Sequence, residues 1–314
     1  MENVRSAILL FLLLPLPAEV LQIGGAPISV EIQDGPTDLP RSALLRWVSR
    51  AAEAVSAYYG QFPVKTEHLL VRPVSGESGI FNGTTWGMRG GFTRISVGQR
   101  TTQMELDRDW MLTHEFVHLA LPDVDDEHHW IEEGLATYVE PIARAQAGQI
   151  SPDRVWAEII QSMHQGEPEA GDRGLDHTHT WGRTYWGGAL FALVADVKIR
   201  QCTHNRMGLQ DALKAILKQG SILSSWPIEN VWKTGDAATT GCTVLANLYS
   251  AWKDKPVTVD LDGLWRDLGV SLNGKEVVYN DRAPLAAARK AIVNRGTAGV
   301  APNVSEPSQP QSLR

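Results

Sequence analysis

Apolar and polar residues alternate from Ile28 to Ile32, the pattern of a half-buried strand, and Asp34-Gly35-Pro36 breaks it. The period then changes. From Pro40 to Tyr59, Leu44, Leu45, Val48, Ala51, Ala52, Val55 and Tyr58 recur at helical spacing, and Gly60 supplies a stop. A second short strand follows at His68–Val71. The glycine-rich stretch Gly79–Gly98 is β-like and ends on alternating Ile95 and Val97. Trp110–Leu121 is apolar almost all round, which predicts a helix inside the core. Trp130–Ala143 reads as another helix. So do a segment opening on Ser151-Pro152, with Val155, Trp156, Ile159 and Met163 on one face, and the run Tyr185–Ile199 with basic residues at its end. Leu209–Leu217, Thr243–Trp252 and Leu261–Leu268 are further helical segments, and Asn273-Gly274 marks a turn. Strand, helix, strand, strand and then mostly helices is an α+β order.

Composition and local sequence features narrow the picture further. The 314 residues are 43% hydrophobic and include 11 tryptophans, enough for a sizeable core. The net charge of −7 comes with no basic tract, which argues against nucleic acid or an anionic membrane as partner. Arg5 followed by the apolar run Ala7–Leu14, with Pro15, Pro17 and Ala18 behind it, has the proportions of a secretory signal over residues 1–18; an uncleaved membrane anchor is the second reading. In an exported chain the two cysteines, Cys202 and Cys242, are candidates for a disulfide, against two unpaired buried thiols. Residues 296–314, rich in proline and serine, read as a disordered tail.

The chemistry concentrates in His114-Glu115-Phe116-Val117-His118. Two histidines four apart share one face of a helix, so both imidazoles can meet one Zn²⁺ ion. Glu115, one step round, reaches a water beside that ion without binding it, the position of a general base. Burying two histidines and a glutamate in an apolar helix is costly unless something pairs with them, and a metal does so. A chance match and a mutually bonded histidine pair are the competing readings. A third ligand has to come from elsewhere, and Glu133 on the next helix is the candidate. His128 or His129 in the charged turn Pro122–His129 is the rival; the same turn also reads as acids favouring a helix N-terminus. Glu132 lies about 100° round the helix from Glu133. Glu140, two turns on, is either a support for a ligand histidine or a surface residue.

His114–His118 followed by Trp130-Ile131-Glu132-Glu133-Gly134-Leu135-Ala136 resembles the gluzincin zinc metallopeptidases, and is similar in particular to the catalytic domains of membrane-alanyl-type and glycyl aminopeptidases (peptidase MA-like). The interval from His118 to Glu133 holds fourteen residues, shorter than in that family's pattern. The resemblance implies a thermolysin/gluzincin-like fold with a small N-terminal β-sheet lobe (19–104) and a mainly helical C-terminal lobe (105–295). It implies one Zn²⁺ per chain on His114, His118 and Glu133, Glu115 as base, and a peptide or protein as substrate. Thr184-Tyr185-Trp186-Gly187 is similar to the family's segment whose tyrosine stabilises the oxyanion, with Gly187 in place of the usual lysine. Tyr185 is matched to that role; His177 and His179 are the rivals.

The strand Trp86–Phe92 stands where the aminopeptidases pair an edge strand with substrate and hold its free amine with a glutamate. No acid occurs between Gly79 and Gln103, and Arg89 is read as a surface residue beside a glycine turn. Trp110, Trp130, Trp181 and Trp186 are expected in the core, with a cleft lining as the other reading. The expected activity is zinc-dependent peptide hydrolysis by an exported protein. An inactive peptide-binding relative and a hydrolase for a non-peptide substrate are the alternatives.

Overall fold

The computed structural model describes residues 18–294. The proposed signal segment up to Pro17 and the proline- and serine-rich tail lie outside them.

A five-stranded mixed sheet has the order β1-β2-β3-β5-β4. Strands β1 (Glu19–Ile23) and β2 (Ala26–Ile32) form an antiparallel hairpin; β2, β3 (Glu67–Val74) and β5 (Gly91–Gly98) run parallel; β4 (Ile80–Gly87) returns antiparallel along the outer edge of β5. The parallel step from β2 to β3 needs a crossover, and helix α1 (Arg41–Tyr59) supplies it. Its apolar face buries Leu44, Trp47, Val48, Ala51, Val55 and Tyr58, and Gly60 closes it at φ 86°, a left-handed conformation that costs glycine little.

The helices follow. They are α2 (Gln103–Arg108), α3 (Met111–His118), α4 (His129–Gln146), α5 (Pro152–Ser162), α6 (Gly188–Cys202), α7 (Leu209–Gln219), α8 (Ile228–Ala238), α9 (Val244–Trp252), α10 (Leu261–Leu268) and α11 (Ala286–Val293). The Asn273-Gly274 turn joins a small hairpin, β6 (Val270–Asn273) and β7 (Glu276–Tyr279). The buried helix predicted over Trp110–Leu121 is shorter than its apolar run: it stops at His118, and Trp110 is exposed. One core runs from the sheet into the helices, because α1 packs on α3 and α4 as well as on β1. Cys202 and Cys242 form a disulfide that ties the end of α6 to the start of α9.

Glu67 opens β3 with only 2% of its surface exposed. Burial pushes its carboxyl up to about 8, and contacts with Thr93 offset only part of that shift. Such an acid contributes full stability below its unfolded pKa near 4.5, and the contribution is lost as pH rises towards 8, where the folded state must ionise a buried group. Glu67→Gln is therefore expected to flatten the pH dependence of unfolding and to be the more stable protein above neutrality, on the order of a few kcal/mol. Urea midpoints for both proteins between pH about 5 and about 9 check this; parallel profiles would contradict it.

Candidate metal centre

Helix α3 is anchored at its start. The Asp109 carboxylate accepts the backbone N–H groups of Met111 (3.0 Å) and Leu112 (3.2 Å), and the Trp47 indole N–H of α1 (2.7 Å) holds it in place. Leu112, Phe116 and Val117 are buried. The opposite side carries His114 and His118, whose rings meet edge to face at 4.8 Å.

Helix α4 packs against α3 and is fixed at its own start by Asp176. That carboxylate accepts from the Trp130 indole (2.7 Å) and the Tyr249 hydroxyl (3.2 Å) and pairs with His128 Nδ1 (3.1 Å). This corrects the expectation for the charged turn: its acids make no side-chain cap on α4, and His128 is turned away to Asp176. Glu127, His128 and Asp176 form a second cluster of possible metal ligands, but the Asp176 oxygens are already committed to α4 and α9. His129 bridges Glu132 and the far oxygen of Glu133, at 3.3 and 3.5 Å.

Glu133 lies at the centre. Its Oε2 is 3.0 Å from His114 Nε2 and 3.6 Å from His118 Nε2. Burial alone would raise its pKa, but the hydrogen bond with His114 and the neighbouring imidazoles outweigh it and hold the carboxyl down to about 2. Burial, then the His114 ring, pushes His118 down to about 4, so its lone pair is free at neutral pH.

Glu115 points from the same helix to the edge strand. Its Oε2 accepts from the Thr85 hydroxyl at 2.8 Å. Gly83 passes so close that a Cβ there would overlap Glu115 Oε1. Burial raises the Glu115 pKa, strengthening it as a base. Trp86–Phe92 is accordingly not the stretch beside Glu115: it is the distal end of the β4–β5 hairpin, turning at Arg89 (φ 52°) and Gly90 (φ 114°), and Arg89 is exposed. Gly83 and Thr85 were missed by sequence reasoning. Their only local signal is a small residue within a β-like run, and the pairing register decides what it faces.

Tyr185 was expected at the start of a regular helix. It lies instead in a π-helical turn, Gly182–Gly187, that feeds α6. The turn is braced by buried Arg183, which pairs with Asp172 at 2.7 Å and donates to the Gly166 carbonyl. Tyr185 stacks near His114, with centroids 6.3 Å apart. Burial, then the charges of Glu133 and Glu115, pushes its phenol up to about 12, so it keeps its proton and is a donor at neutral pH. His177 and His179 are exposed, and His177 pairs with Asp254 at 2.8 Å.

Beside His114 and Tyr185 opens a cavity of about 360 Å³. Trp110, Trp181 and Trp186 line it; Trp110 and Trp181 are exposed, which corrects their expected place in the core, while Trp186 also packs against the core and Trp130 is buried. Glu140 reaches its wall as a buried partner of Arg144 at 2.7 Å, not as a surface residue.

The donor set fits a zinc ion. Two imidazole nitrogens and a carboxylate oxygen lie within 4.8 Å of one another. Two nitrogens and one carboxylate is a set that catalytic zinc uses, leaving a position open.

No family model and no curated protein matches the chain. Among solved structures it is similar to an aminopeptidase N family protein from Idiomarina loihiensis, with a TM-score of 0.61 and 16% identity over 81% of this chain and 49% of that one. It is also similar to the M1 zinc metallopeptidase from Deinococcus radiodurans, with a TM-score of 0.50 and 16% identity over 78% of this chain and 52% of that one. The chain thus spans about half the length of these neighbours. At this identity the likeness speaks to architecture alone: the chain shares its fold with about half of each of these neighbours.

Proposed function

We propose that this chain is an exported zinc metallopeptidase that hydrolyses peptide bonds. His114, His118 and Glu133 hold the ion, Glu115 is the general base, and Tyr185 stabilises the oxyanion. One observation carries the reading: a carboxylate on α4 meets both imidazoles of α3, while the intervening Glu115 turns away from them to the edge strand. The zinc peptidase neighbours support it. The disulfide fits an oxidising compartment, and no helix of the described residues is long and apolar enough to cross a membrane. Residues 19–295 would form the catalytic unit, and residues 1–18 would direct export.

A bound Zn²⁺ supplies Lewis acidity, polarising the scissile carbonyl and acidifying a water. The protein does the rest. The outer edge of β4 offers backbone groups on which an extended peptide can pair. Glu115 Oε1 removes the proton of the attacking water as its oxygen bonds to the carbonyl carbon. The Tyr185 hydroxyl donates to the carbonyl oxygen as that oxygen gains charge. Glu115 then delivers its proton to the amide nitrogen as the C–N bond breaks, giving a carboxylic acid and an amine. Thr85 keeps the carboxylate aimed by holding Oε2.

Metal analysis with a mixed peptide library tests the reading. The purified protein is expected to carry one zinc per chain, to lose cleavage to background when a chelator strips it, and to recover when zinc is returned. Stoichiometric zinc without cleavage of any peptide would leave a binding protein in place of an enzyme.

A further inference from the structure

The tryptophan-lined cavity beside the metal centre is built for a cation. Trp110 and Trp181 are 48% and 61% exposed, and with Trp186 they line one cavity, where clustered apolar surface marks a binding site. Both are held in place: Trp110 lies edge-on to His114 at 5.6 Å, and Trp181 stacks on Tyr185 at 5.9 Å. Their faces and that of Trp186 offer negative π surface. The polar lining is acceptor-rich and includes no lysine or arginine. Glu158, on α5, is exposed and has no ion-pair partner among the described residues. Glu140 has its charge met by Arg144, and the nearby Glu158 adds to its reluctance to ionise. Thr137 also lines the cavity, and Pro141, four residues on in α4, cannot donate to its carbonyl, so that acceptor lacks its helical partner.

The geometry points to a specificity pocket for a lysine or arginine side chain, with the ammonium or guanidinium between the indoles and Glu158. His114 and Tyr185 line the cavity, so its occupant belongs to a residue flanking the scissile bond. This inference rests on the reading that a peptide lies across the metal centre. A large apolar side chain would gain from the indoles alone and would leave the Glu158 carboxylate unpaired. An acidic side chain would be repelled. A cationic one uses both walls.

The test uses hexapeptides that differ only in the two residues flanking the scissile bond, carrying Arg, Lys, Leu, Phe or Glu. Zinc-loaded wild type is assayed for cleavage. Zinc-loaded Glu115→Gln is assayed for binding through quenching of its tryptophan fluorescence. Arg and Lys peptides are expected to outperform Leu and Phe by about tenfold in both assays, at one of the two positions. Glu158→Gln should bring that ratio close to one, and Glu158→Asp should keep part of it. A general loss of structure would lower all peptides together and leave the ratio unmoved. Cleavage with no basic preference, or with a preference for Leu or Phe, overturns the pocket and leaves the peptidase reading standing. Basic-selective binding without cleavage by wild type keeps the pocket and removes hydrolysis. Absence of both binding and cleavage removes both.

Discussion

Glu115→Gln is expected to keep its zinc and to lose about 10²–10⁴-fold in kcat/KM. Glutamine has nearly the same shape, so its amide oxygen can still accept from Thr85, and the helix that carries both histidines has no reason to move. What disappears is the ability to take a proton from water and return it to the departing amine. The proposed metal ligands are not touched, so metal content separates this outcome from a folding defect. His114→Ala is the contrast, since it should lose ion and activity together. Tyr185→Phe should fall in between: removing one oxyanion donor typically costs about 2.7–4 kcal/mol in the transition state, with KM little changed. Full turnover by the glutamine variant would mean that the base is another group.

That series touches residues of very different visibility in the sequence. His114, Glu115 and His118 are legible because a helix converts a spacing of four directly into a shared face, and their apolar neighbours announce burial. Helix α1 was legible for the same reason. What depends on distant pairing was not. Thr85 and Gly83 acquire their place only when β4 folds back on β5 and the register is set. Strand β1 hides because much of it stays partly exposed on both faces and it follows closely on the apolar run Ala7–Leu14. Helix α8 carries Gly235 and Asp236 within its last turn, poor helix formers at first sight. Gly235 clears the side chain of Leu245, and Asp236 accepts the N–H groups of Leu245 (2.9 Å) and Ala246 (3.0 Å), capping the next helix from outside. The π-helical turn that presents Tyr185 depends on Arg183 finding Asp172 eleven residues earlier in the chain. The tryptophans illustrate the limit from the other side. Hydrophobicity alone favoured burial, and only the packing of α3, α4, α5 and the π-helical turn shows three of the four lining a cavity.

Gly134→Ala is expected to damage the proposed metal centre without touching His114, His118 or Glu133. Gly134 follows Glu133 on α4 and faces Gly188 at the start of α6. A Cβ on Gly134 would overlap the Gly188 Cα and stand 2.8 Å from the Ala189 nitrogen; a Cβ on Gly188 would overlap the Trp130 carbonyl. Both obstacles are backbone, which cannot rotate aside as a side chain can. One helix has to move, and α6 is backed by buried Leu190, Phe191 and Leu193. Helix α4 in turn is tied at its start through Asp176. Displacement of either helix shifts Glu133 against His114 and His118, or Tyr185 against all three. Overpacking of this kind commonly costs about 1–3 kcal/mol, and backbone against backbone belongs at the upper end. The variant should therefore unfold at lower urea, bind zinc more weakly and lose activity, the last two by more than the stability loss alone requires. Gly188→Ala should do the same, and the double variant should cost less than the sum, because the helix separation needed by the first methyl partly accommodates the second. Thermal unfolding and zinc titration of the two single variants and the double variant measure this directly. Wild-type zinc affinity in Gly134→Ala would show that the crossing of α4 and α6 does not set the position of the third ligand.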